Sequence, residues 1–85
     1  MTPLILSQPE SIKAVKGLTV SFRVKATAIP EAQYQWFKNG LTIKGATKAE
    51  LVLKKVSASD AANYNVILAN PSGRTVSQYV TLTVH

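Results

Sequence analysis

The residues with chemistry to offer are few and scattered. The acids are Glu10, Glu31, Glu50 and Asp60, His85 is the one histidine, and there is no cysteine. General acid–base work needs two titratable groups meeting in a cleft, and these four acids fall on different predicted elements. Asp60, in Ser57-Ala58-Ser59-Asp60-Ala61, reads as a cap of a single polar helical turn. His85 is the last residue, and no metal site can be assembled around it. No serine lies in a nucleophile motif and no glycine-rich phosphate loop is present. Pro71 disqualifies Asn70-Pro71-Ser72 as a glycosylation sequon. Without cysteine there is no thiol catalysis, thiolate zinc site or disulfide. The residues therefore predict no enzyme and no cofactor.

What remains is surface. Ten Lys and Arg against four acids give a net charge of +6. Arg23 and Lys25, with Lys54 expected across from them on a neighbouring strand, form a candidate basic face for an acidic glycan; Glu50 is placed to offset one charge. No aromatics interleave with these cations, which argues against specific nucleic-acid binding. Phe37, Ile67 and Tyr79 are expected outward on the other sheet, as a candidate face for another protein.

The elements that position these residues are strands. Eighty-five residues, 46% hydrophobic and 16% charged, suit one small packed domain over 1–85. Residues 1–3 read as a flexible start or cloning remnant, with Met1 as an added initiator on an excised module. No apolar run approaches a membrane span, so no membrane insertion is expected. Nearly every segment alternates with period two. Strands are predicted at Leu4 to Ser7, Ile12 to Val15, Leu18 to Ala28 and Gln33 to Lys38. They continue at Thr42 to Lys44, Glu50 to Lys54, from Tyr64 to the Asn70-Pro71-Ser72-Gly73 turn, and Arg74 to Val84. Val20, Phe22, Val24 and Ala26 face one way; Tyr34 and Trp36, then Tyr64, Val66 and Leu68, then Val80, Leu82 and Val84, do the same. Gln78 shares the last parity but is polar, which predicts a bulge or bend beside it. Asn39-Gly40 predicts a two-residue type I′ hairpin. The sum is an all-β, two-sheet antiparallel sandwich of about eight strands.

Three elements in order then identify a family. Trp36 lies mid-strand beside Tyr34, Leu51-x-Leu53-x-x-Val56 precedes the polar turn, and Asp60-x-Ala62-x-Tyr64 follows it. The last is similar to a tyrosine corner, in which the hydroxyl bonds back to upstream backbone. With Gln8-Pro9, Tyr34 to Gly40, Ile43 to Thr47, Ala69 to Gly73 and Thr81 to Val84, the chain resembles I-set immunoglobulin-like domains over nearly its whole length. It is most similar to their bacterial branch, which often lacks the inter-sheet cysteines. The resemblance implies a Greek-key sandwich with Val24 and Val66 standing where cysteines usually are. It departs at Ala62, usually glycine, where the turn must be right-handed or strained. Fibronectin type III sandwiches carry the core tryptophan on the second strand; here Trp36 falls on the third.

The resemblance implies a non-catalytic spacer or adhesion module of a larger bacterial surface or secreted protein, partnered by neighbouring domains. The alternatives are an accessory polysaccharide-binding module, a cytoplasmic filament module and a cysteine-free engineered scaffold.

Overall fold

The computed structural model describes residues 2–85; Met1, read from the sequence as part of a flexible start, lies outside the described residues. The strands are β1 (Leu4–Ser7), β2 (Ile12–Ala14), β3 (Val20–Arg23), β4 (Lys25–Thr27), β5 (Gln33–Lys38) and β6 (Leu41–Thr42). They continue with β7 (Glu50–Leu53), β8 (Ala62–Asn70), β9 (Gly73–Val76) and β10 (Val80–Val84), and a 3-10 turn at Ala58–Asp60 precedes β8. One layer runs β2-β10-β8-β5-β6, with β9 also on β8; the other holds the pairs β1-β4 and β3-β7. All pairings are antiparallel except β2 with β10. The result is the expected all-β immunoglobulin-like sandwich.

Period-two alternation sends one side of each strand inward. Val20, Phe22 and Val24 meet Trp36, Leu51, Val56, Tyr64, Val66, Leu68, Val80 and Leu82 in one buried cluster. Trp36 is at its centre with no exposed surface. The Phe22 ring centre lies 6.3 Å from that of Trp36 and 5.1 Å from that of Tyr64. Val24 and Val66 are 5% and 0% exposed, so the positions that the resemblance associates with cysteine are apolar and buried. Burying a valine contributes roughly 1.5–3 kcal/mol. A cross-link closing a loop of this length would contribute about 4 kcal/mol by the chain-entropy model. Two valines therefore come close to replacing one disulfide.

Two of the expected strands are broken. The segment predicted as one strand from Leu18 to Ala28 changes partner at Val24. Before it, β3 pairs with β7 from Val20↔Leu53 to Arg23↔Glu50; after it, β4 pairs with β1. Seamless alternation hides this switch, because both halves bury the same parity. The segment from Arg74 to Val84 breaks at a bulge. Val76 faces Ile67 and Val80 faces Tyr64, so Ser77, Gln78 and Tyr79 span only Asn65 and Val66. The extra residue reverses the inward parity. Ser77 is buried there. Its N–H donates to the Val66 carbonyl and its Oγ accepts from the Val66 N–H, each at 2.8 Å. Gln78 is consequently exposed, as its polarity requires.

Turn chemistry agrees with the residues present. Asn39 and Gly40 have φ of 50° and 82°, the positive pair a type I′ turn demands. Asn39 Oδ1 also accepts the Asn63 N–H at 3.0 Å. Among the described non-glycine residues only Asn39 and Lys55 have positive φ, so Ala62 sits without left-handed strain.

Candidate interaction surface

The polar turn and the tyrosine corner are occupied by structural work. The Tyr64 hydroxyl donates to the Asp60 carbonyl at 2.6 Å. The Ser57 N–H donates to Asp60 Oδ2 at 2.8 Å, and Lys38 Nζ donates to the Ser59 carbonyl at 2.6 Å. Burial, with the Asp60 charge adding to it, raises the Tyr64 phenol above its ordinary value. Asp60 therefore caps a turn and props a tyrosine. Among the described residues no group of three or more His, Asp or Glu is placed to hold a metal ion.

The outer face of the larger layer carries the apolar candidates. Phe37 on β5 stands opposite Asn65 of β8, and Ile67 stands opposite Gln35 on one side and Val76 on the other. Phe37 and Ile67 are thus diagonal neighbours on one face. Both are half-buried and line an open groove with Gln35, Ala69 and Arg74. Tyr79 lies in the bulge segment, one residue before Val80, and is 65% exposed. Sequence reasoning missed Val76, which is 53% exposed beside Ile67. The polar Gln78 is the signal that could have found it: parity reverses there, so even-numbered residues before the bulge face outward.

The basic candidates are distributed differently. Register places Arg23 opposite Glu50, and Arg23 Nε pairs with Glu50 Oε2. Lys25 belongs to β4 and faces Ser7 of β1. Lys54 follows β7 four residues beyond Glu50, about 13 Å along the strand direction at the usual rise. The structure brings Arg23 to a carboxylate rather than to Lys54.

Pro3 and His85 sit towards opposite poles of a body 41 × 22 × 17 Å. Thr75 Oγ1 donates to the Pro3 carbonyl, close to the Asn70↔Gly73 end of β8. The His85 N–H donates to Ala14 at 2.9 Å, past the pairing of Leu82 with Ala62 at the other end of β8.

Comparison with known proteins agrees with this geometry. A family model described as "Immunoglobulin domain" matches residues 2–70. The smooth-muscle myosin light chain kinase of Gallus gallus is 30% identical over 91 aligned positions, which cover 96% of this chain and 5% of that protein. The structure of titin M4 superposes with a TM-score of 0.89 at 22% identity, covering 98% of this chain and 95% of that one. The Ig1-2 module of the Drosophila receptor protein tyrosine phosphatase DLAR gives 0.92 at 22% identity, covering 99% of this chain and 46% of that one. The chain spans about a tenth or less of the curated relatives it matches. These relatives are animal proteins, a kinase and a receptor among them, and nothing in them supports a bacterial origin. Among the described residues no helix is long and apolar enough to cross a membrane. The family and its fold are generally non-catalytic. With its buried tryptophan, tyrosine corner and two-layer sandwich, the chain belongs to the immunoglobulin domain family.

Proposed function

We propose that this domain is a non-catalytic module set in series within a longer chain, making protein contacts through the outer face of its larger sheet. The observation that carries the reading is the apolar row of Phe37, Ile67, Val76 and Tyr79, which this chain leaves at least partly open. Isolated apolar residues on a surface are ordinary, but a row on one face suits a partner. The opposite placement of Pro3 and His85 supports the serial arrangement, because neighbours attached at the poles leave that face free. Solved relatives include tandem immunoglobulin repeats of Dlar and a complex between titin M10 and an obscurin-like 1 immunoglobulin domain.

Hydroxyl-radical footprinting tests the reading. In the parent protein within its native assembly, Phe37, Ile67 and Tyr79 should react several-fold more slowly than in the isolated domain. Equal reactivity in the two would overturn the contact face.

The net charge of +6 favours one further reading, an acidic-glycan surface at Arg23, Lys25 and Lys54. The Arg23–Glu50 pair weakens it by neutralising one member. Retention on heparin that disappears only at high salt would support that surface, and no retention at low salt would remove it.

A further inference from the structure

β7 is the outermost strand of its pair and has β3 as its one partner among the described strands. The ladder shows which of its backbone groups are left over. The Val24 N–H donates to the Ala49 carbonyl at 3.0 Å, and this pair extends the register of Phe22↔Leu51 and Val20↔Leu53. In an antiparallel ladder bonded and non-bonded pairs alternate. Ala49, Leu51 and Leu53 therefore spend their N–H and C=O groups on β3. Those of Glu50 and Val52 point away from it; Lys54 follows the end of β7, before Lys55 takes a positive φ and the pairing shifts by one residue to Leu18 with Val56. Val52 is 44% exposed and Lys54 is exposed beside it. Such a bare edge is a template for another strand.

The side chains along this edge are self-complementary. Glu50 and Lys54 carry opposite charges at equal distances on either side of Val52. Two-fold antiparallel pairing about Val52 sets Glu50 against Lys54 of a second copy, Val52 against Val52, and Lys54 against Glu50. Each contact occurs on both sides of the axis, as an isologous interface requires. Arg23, already paired with Glu50, extends the row on the same face. Parallel pairing in register would instead oppose like charges. We propose that the β7 edge is a self-association site that joins two copies of this chain through antiparallel Glu50–Lys54 strands. This goes beyond the contact face proposed above, which lies on the other sheet.

Sedimentation equilibrium tests it. The wild type should associate reversibly at protein concentrations up to about 1 mM, the range for a short strand pairing. Directly opposed like charges are unfavourable, so Glu50→Lys and Lys54→Glu should each weaken association roughly tenfold or more. The double exchange Glu50→Lys/Lys54→Glu restores both opposite pairs and should recover it. An equimolar mixture of the two single variants should form a heterodimer, because each then offers what the other lacks. Val52→Pro should abolish association with the domain still folded by circular dichroism, because that N–H is not used by β3. A wild type monomeric throughout, a double exchange that fails to recover, or association surviving Val52→Pro would each overturn the proposal.

Discussion

Replacing Val24 and Val66 together by cysteine asks whether the two sheets are held where burial alone now holds them. The side chains come from facing layers and enter one cluster with Trp36. Each valine-to-cysteine change trims a buried side chain and should cost about 0.5–1.5 kcal/mol while the thiols are reduced. Closing the loop between positions 24 and 66 should return about 4 kcal/mol in the chain-entropy model. The oxidised variant should therefore exceed the wild type by about 1–3 kcal/mol, and the reduced variant should fall below it by a similar amount. For a domain of this size each kcal/mol moves the melting temperature by about 4–8 °C. Urea melts of the wild type and of both redox forms, followed by far-ultraviolet circular dichroism, read these differences directly. Thiol titration before the melt verifies that the bond has formed. Failure of the bond to form in the folded protein, or an oxidised form no more stable than the reduced one, would refute the opposed placement of Val24 and Val66.

Other substitutions probe the remaining supports. Trp36→Ala removes the fully buried ring whose Nε1 donates to the Lys48 carbonyl at 2.7 Å, and should cost about 3–5 kcal/mol in a denaturant melt. Ser77→Ala leaves the Val66 N–H without its acceptor in the bulge and should cost about 1–3 kcal/mol by the same assay. Tyr64→Phe loses the bond to the Asp60 carbonyl and should cost about 0.5–1.5 kcal/mol near neutral pH. Because the folded-state phenol lies above its ordinary value of 10.0, its contribution is fully present below that pH and declines as pH rises through the folded value. The stability gap between wild type and Tyr64→Phe should accordingly narrow above about pH 10 in melts at stepped alkaline pH; a gap that widens there would contradict the burial of that hydroxyl.

Local signals in the chain carried the fold a long way, and their physical reach explains where they stopped. Trp36 beside Tyr34, the Asn39-Gly40 turn and the Asp60-x-Ala62-x-Tyr64 corner each fix their own geometry through side chain and backbone alone. Pairing register is set by contacts far apart in sequence, so alternation could place Glu50 to offset one charge of the basic face but could not fix it on Arg23, twenty-seven positions away. The partner change at Val24 was invisible for the related reason that it leaves parity untouched. The bulge at Ser77 does change parity, and the misplaced polarity of Gln78 announced it. Its consequence for Val76 required knowing which residue was extra. The bare β7 edge is a property of the assembled sheet and has no local signature.

The serial arrangement is tested most directly by small-angle X-ray scattering on two copies joined head to tail through a short rigid linker. Poles at opposite ends predict an extended particle whose largest dimension is about twice the 41 Å length of one domain. A compact particle little longer than a single domain would contradict a module built to extend a chain.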